Sequence, residues 1–264
     1  MSDTGLVWIR EDFRIENNAA LSYATQNHQN VIAFFIYNNN DYDNKREAQK
    51  WWLSKSLENF KKDLLNYQIN LQIIKGDELD IFSKIKKNDN VSIYWNKIYE
   101  PDVIAKGKKI RDIFIKNKIN FKYFKGNILN EFQEVTKNDK TPFKVFTPFW
   151  RTAEKIYLSL PPSKNYTVKK KSKIKSFFKS SISSNDILPK KNWHKKFEKY
   201  WNVSENDSKK ILKNLIENKI KNYGTSRDIP SIEGTSKLSP YIKFGQIHVG
   251  TIWKKCNEIK SKGI

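Results

Sequence analysis

The stretch LVWIREDFRIENNAALSYATQNHQNVIAFFIY occupies Leu6–Tyr37. Its two ends, Leu6–Arg10 (LVWIR) and Val31–Tyr37 (VIAFFIY), are unbroken β-prone apolar runs, the pattern of strands covered on both faces. Asn17–Gln26, between them, reads as a short helix. The same alternation continues down the chain. Leu71–Lys75 (LQIIK), Val91–Trp95 (VSIYW) and the shorter Phe121–Phe124 (FKYF) predict three further strands. Arg46–Tyr67, Asp77–Lys86 and Pro101–Lys118 carry apolar residues at steps of three and four, which predicts helices. In the first of these, Trp52, Leu53, Leu57, Phe60, Leu64 and Leu65 form one stripe. Strand and helix alternating five times predict an α/β fold with a doubly wound, parallel, five-stranded sheet.

Beyond residue 125 the pattern changes. Thr141–Arg151 (TPFKVFTPFWR) leads to a Pro161–Pro162 break, and residues 161–200 then hold 12 Lys against two acids, Asp186 and Glu198. Without sustained periodicity, this reads as a long connection crossing the surface. Helical character returns near Trp193. Ser204–Ile220 is its clearest piece, with Ser204 and Asp207 as a loose capping box and Ile211, Leu212, Leu215, Ile216 and Ile220 as the buried stripe. Tyr241–Trp253 reads as another helix, entered through Pro240. So few helices can hardly enclose a core alone. They are expected to pack on the α/β unit or to be completed by a partner or a further segment. The expected organisation is an α/β domain over 1–130, a linker over 131–200 and the beginning of a helical domain over 201–264.

Composition narrows the function. With 38% apolar residues, including 16 Phe, 12 Tyr and 8 Trp, the 264-residue chain is globular. No apolar run approaches a membrane span, and MSDTGLVWIR lacks the basic and apolar regions of a signal peptide. A single cysteine, Cys256, excludes an internal disulfide and a cysteine zinc site, and a cytoplasmic location is expected. The net charge of +22 would suit a polyanion, but the excess is nearly all Lys and accompanies abundant Asn and Ile, as codon bias in an AT-rich genome produces. There is no G-x-G-x-x-G after the first strand, no P-loop and no nucleophile elbow. His28, His194 and His248 have no paired spacing, so packing roles are expected and no metal site. Trp51, Trp52, Trp95 and Trp150 are expected to fill the core and the domain seam.

Gly234–Ile247 (GTSKLSPYIKFGQI) is the one stretch suited to gripping an anion. Thr235, Ser236 and Ser239 offer hydroxyls, Lys237 a positive charge, and Pro240 suits the first turn of a helix. An ordinary helix cap accounts for the same residues.

Four segments in order resemble the DNA photolyase/cryptochrome family: LVWIREDFRIENNAAL (Leu6–Leu21), YWNKIYEP (Tyr94–Pro101), TPFKVFTPFWR (Thr141–Arg151) and YGTSRDIPSIEGTSKLSPYIKFGQI (Tyr223–Ile247). The resemblance is greatest to the amino-terminal portion of a bacterial class I cyclobutane pyrimidine dimer photolyase. It implies a Rossmann-like antenna domain, a long linker and the first part of an all-α FAD-binding domain. Tyr223, Thr235, Ser236, Lys237, Leu238 and Ser239 match positions that hold FAD in the family. Arg227 matches an arginine contacting the DNA backbone, though a salt bridge to Asp228 or Glu233 is the plainer role. Glu100 matches a carboxylate that binds an antenna pterin in some members, and it could equally cap the following helix.

The implied reaction is light-driven repair. Reduced FAD, excited directly or through an antenna of methenyltetrahydrofolate or deazaflavin type, passes an electron to a flipped-out dimer in DNA, which splits and returns it. Lys237 stands where many members have Arg, and Glu11 where a basic or amide residue is common. The family's remaining FAD contacts and its catalytic residues are expected beyond residue 264. The isolated chain is therefore expected to be inactive, with at most weak FAD binding, as a monomer or beside a separate carboxy-terminal half. A cryptochrome-like photoreceptor and a stand-alone antenna or nucleotide-binding module are the alternatives.

Overall fold

The computed structural model describes residues 3–40, 47–159 and 166–260. Arg46 and the Pro161–Pro162 break lie outside the described residues. Five parallel strands, β1 (Thr4–Ile9), β2 (Asn30–Tyr37), β3 (Asn70–Lys75), β4 (Val91–Asn96) and β5 (Asn120–Phe124), form one sheet in the order β3-β2-β1-β4-β5. Helices α1 (Ala19–Asn27), α2 (Glu47–Leu65), α3 (Glu78–Ser83) and α4 (Pro101–Lys116) make the crossovers. The doubly wound α/β reading holds.

All eight residues of β2 are buried, because layers cover both faces of the sheet. Val7, Ile9, Ala33, Phe35 and Tyr94 meet α1 and the Trp52, Leu57, Phe60 and Leu64 stripe of α2 on one face. Leu6, Trp8, Phe34, Ile93 and Trp95 meet Phe82, Ile110 and Phe114 of α3 and α4 on the other. Each such Leu, Ile or Phe stabilises the fold by roughly 1.5–3 kcal/mol.

The carboxy-terminal helices join the first of these cores. Val203, Leu212, Leu215, Leu238, Tyr241, Phe244 and Ile247 pack in the cluster that contains Trp51 and Trp52. Trp52 is the pivot of this seam. Its ring lies 5.0 Å from Tyr241 and 5.3 Å from Trp201, and its Nε1 donates to Gln246 Oε1 at 3.0 Å.

Three segments differ from their sequence reading. TPFKVFTPFWR, read as the start of a connection, turns halfway into helix α5 (Phe146–Ser159), whose Ala153 and Tyr157 form a third small core with Trp150 and Trp253. Ser204–Ile220 is not one helix. Ser204 caps α6 (Glu205–Asn214) by accepting from Asp207 N at 3.1 Å, after which a π-helical turn (Leu215–Lys219), a 3-10 turn (Ile220–Asn222) and α7 (Tyr223–Ser226) follow. Tyr241–Trp253 is likewise split, into α8 (Ser239–Lys243) and α9 (Val249–Lys260). The break is at Gly245, with φ of 63°, where a Cβ would lie 1.9 Å from the Glu11 carbonyl oxygen. Only glycine permits that backbone approach.

The lysine-rich connection is ordered over 166–200 and runs along the outer edge of β3. Gln72 accepts from the backbone N–H groups of Phe177 and Phe178, and Ile182 N donates to Ile73 O at 2.8 Å. Among the described residues no helix is long and apolar enough to cross a membrane.

Candidate functional site

The first sequence motif builds a polar scaffold at the carboxyl ends of β1 and β4. Asn96, at the end of β4, donates to Asp12 Oδ2 at 2.7 Å and to Asn18 Oδ1 at 2.8 Å, and its own Oδ1 accepts from Ala20 N. Asn18 caps α1 through Leu21 N. The buried Arg10 guanidinium stacks 4.5 Å from the Trp8 ring centre and donates to Asn96 O. Burial lowers its pKa to about 10, with Asp12 as the main opposing charge. Arg14, 2% exposed, donates to Gly245 O at 2.8 Å. These motif residues hold backbone ends together and are turned away from solvent.

An open cleft of about 440 Å³ sits beside this scaffold, lined by Glu11, Lys97, Tyr99, Glu100, Asn127 and Lys243. It lies where the strand order reverses between β1 and β4, the place at which open α/β sheets present ligand crevices. Lys243 Nζ bridges Glu11 Oε1 at 2.6 Å and Glu100 Oε1 at 2.9 Å. Glu100 therefore does not cap α4, for it makes no side-chain bond to that helix and points at Lys243 instead. Burial would lower the Lys243 pKa, but its two carboxylates outweigh that and raise it. Burial pushes the Glu11 carboxyl up despite the lysine. Tyr99 donates to Glu131 Oε1 at 2.9 Å, and burial raises its hydroxyl well above the usual range. Asn127 ties the cleft to the helices, donating to Ile242 O and accepting from Val249 N.

The second location is the loop between α7 and α8. Gly234 returns the chain onto α7, since a Cβ there would lie 1.9 Å from Ser226 O. That approach brings Ser226 and Arg227, at the end of α7, beside the start of the Gly234–Ser239 stretch. Lys237 adopts a left-handed conformation (φ 56°) and Leu238 a right-handed one (φ −82°, ψ −17°), the kind of turn from which successive N–H groups can meet an anion, with Leu238 N here donating weakly to Ser236 Oγ at 3.4 Å. Thr235 and Ser239 are exposed, Ser236 is half-buried, and Leu238 is buried. Lys237 Nζ pairs with Glu233 at 2.6 Å, and Glu233 is 77% exposed on its side chain. Arg227 pairs with Asp228 at 3.6 Å and is exposed. Because α8 has only five residues, an anion here would rest on loop amides and hydroxyls rather than on a helix dipole. The donors present fit a diphosphate.

Lys97, Tyr99, Asn127 and Lys243 were not singled out in the sequence reading as lining a crevice. Lys97, Tyr99 and Lys243 lie inside quoted motifs, but only the fold brings the motifs into one place. His28 is buried with its ring nitrogen 2.7 Å from Tyr94 Oη, and His194 is buried as well. Among the described residues no group of three or more His, Cys, Asp or Glu side chains is placed to hold a metal ion.

A family model described as DNA photolyase matches residues 5–167. The deoxyribodipyrimidine photo-lyase of Agrobacterium fabrum is 29% identical over 254 residues, covering 94% of this chain and 52% of that protein. Cryptochrome-1 of Arabidopsis thaliana is 24% identical over 256 residues, covering 94% of this chain and 37% of that one. Among solved structures, a bacterial class III photolyase from Agrobacterium tumefaciens superposes with a TM-score of 0.83 at 25% identity, covering 97% of this chain and 53% of that one. The chain spans about half the length of the curated photo-lyases it matches.

Proposed function

The chain belongs to the DNA photolyase family, and from that premise we propose that it serves light-driven, FAD-dependent repair of cyclobutane pyrimidine dimers in DNA. The observation that carries this reading is the left-handed Lys237 beside the right-handed Leu238, flanked by the exposed hydroxyls of Thr235 and Ser239. FAD, when bound, supplies the light-driven electron that splits the dimer. The chain's own contribution is to hold and orient. In this reading Ser236, Lys237, Leu238 and Ser239 present amides and hydroxyls to the diphosphate, with Thr235 beside them. Tyr223, half-buried against the main core, backs the loop. Lys237 exchanges its exposed partner Glu233 for phosphate oxygens. Arg227 leaves Asp228 for a DNA phosphate, a contact that positions without reading sequence.

The switch-point cleft is proposed as the antenna site, with Glu100 as an acceptor for a pterin-type chromophore. Its side chain, 61% exposed at the cleft rim, supports this role, because a ligand that competes with Lys243 can reach the carboxylate. The lesion class and the class I pattern of the motifs are the finer part of the proposal. The match to a plant cryptochrome favours one rival, a blue-light receptor that signals without repair.

FAD titration of the chain tests the loop. Thr235→Ala/Ser239→Ala is expected to weaken binding at least tenfold. Equal affinity of parent and variant would remove this loop from the cofactor site. Ultraviolet survival of cells lacking the gene separates repair from signalling: light-dependent rescue by the restored gene is expected for repair, and unchanged survival for signalling.

A further inference from the structure

The connection over 166–200 does more than join two halves. Five of its apolar side chains point inward, and its backbone covers the β3 edge. Phe177 and Phe178 pack on one core, while Ile182, Leu188 and Phe197 pack on the other. Its backbone is fastened at intervals, by Lys171 N to Tyr67 O, by Phe177 N and Phe178 N to Gln72, and by Ile182 N to Ile73 O. Trp193 Nε1 adds a bond to Glu47. What remains outward is mostly lysine and serine, with Tyr166, Ile174, Trp193 and Tyr200 as scattered exposed apolar side chains.

Nine lysines of this strap, Lys169 and Lys170 through to Lys196 and Lys199, are exposed, and none has an acidic partner among the described residues. The two acids that could neutralise them are already engaged. Glu198 pairs with Lys55 at 3.0 Å, and Asp186 accepts from Ser183 N at 2.7 Å. A general lysine excess does not explain this. Residues 161–200 hold 12 basic and 2 acidic side chains, whereas the other 224 residues hold 38 and 26. The excess is thus concentrated on one strip that is fastened to the outer side of the α/β unit.

We propose that the strap is a second, sequence-independent contact surface for the phosphate backbone of double-stranded DNA, separate from any lesion site. Fixed cations spaced along an ordered ridge neutralise successive phosphates and release their counterions. A duplex fits better than a single strand, because single-strand binding relies on successive stacking rings. Phe177 and Phe178 are turned into the core, and Tyr166, Trp193 and Tyr200 are the exposed aromatics of the strap. The surface would keep the protein on undamaged DNA, in darkness and without cofactor.

The test is binding of an undamaged duplex by the whole chain in the dark, measured by fluorescence anisotropy across a salt series. One variant changes Lys169, Lys170, Lys173, Lys190, Lys191 and Lys195 to Gln. A control changes Lys61, Lys84, Lys87, Lys108, Lys109 and Lys116, equally exposed lysines elsewhere. The slope of log K against log salt is expected to become shallower by about 3 to 5 in the strap variant and by less than about 1 in the control. Equal effects would mean diffuse net charge and would overturn the proposal. So would absence of duplex binding, a preference for single strands, or binding to anionic vesicles but not to duplex. If the strap variant does not fold, amine-reactive footprinting of the parent chain decides: duplex must protect the strap lysines and spare those of the control set.

Discussion

At the scale of single residues, the glycines and buried polar groups explain why motifs at opposite ends of the chain belong together. Gly245 lies under the Glu11 carbonyl, and Arg14 donates to Gly245 O. His248 stands close to the same arginine. Burial, then the positive charge of Arg14, lowers its pKa to about 4. A depressed histidine contributes stability that is fully present above its unfolded pKa near 6.5 and is lost as pH falls towards 4. Discounted for partial exposure, the loss by pH 4.5 is about 2 kcal/mol. His248→Gln is expected to remove that part of the acid sensitivity, as read by urea unfolding at pH 7 and pH 4.5. An unchanged difference between the two pH values would show that His248 does not titrate with folding. The hydroxyl and lysine content of GTSKLS was legible in the sequence, since side-chain chemistry is local. The left-handed Lys237 was not, because φ at a non-glycine residue is decided by the packing of Leu238 and the return of Gly234 onto α7.

At the scale of elements, β1 to β4 were readable because parallel strands buried on both faces appear as largely apolar runs, whereas β5, an edge strand with exposed residues, was readable only from its short aromatic run. The helices failed where tertiary contacts override periodicity. Ile242, Val249 and Trp253 keep helical steps of seven and four, yet they belong to two helices because Gly245 turns between them. Helix α5 was missed for the opposite reason: Pro148 and the aromatic run mask its spacing, and its buried face is completed by Trp253, about a hundred residues away. The strap was legible in composition but not in placement. Its attachment is centred on Gln72, whose oxygen accepts from Phe177 N and Phe178 N while its Nε2 donates to Phe178 O. Gln72→Leu leaves those two amides without their acceptor, at a cost of about 1–3 kcal/mol. Hydrogen exchange is expected to accelerate over residues 176–182 while β1 and β2 stay protected. Unaltered exchange there would mean that the Phe177 and Phe178 rings hold the strap without the glutamine.

For the whole molecule, the decisive fact is that 201–247 and the α/β unit share one apolar cluster through Trp52, Trp201, Tyr241 and Phe244. Elements that bury each other's apolar faces are expected to unfold together. Tryptophan fluorescence, which reports the seam together with the sheet cores, and far-ultraviolet circular dichroism, which reports all helices, should give coincident urea transitions. Two separated transitions would show that the helical segment melts independently of the sheet.

The contact between Arg14 and Gly245 also sets a timetable. The partners are 231 residues apart, and ribosomes extend chains at roughly 5–20 residues per second. A nascent chain therefore waits roughly 10–50 seconds before Arg14 can exchange water for the Gly245 carbonyl. Through that interval the Trp52 face lacks Tyr241 and Phe244 and stands open to chaperones. The stretch around Gly245 acts as the clasp that ends their access.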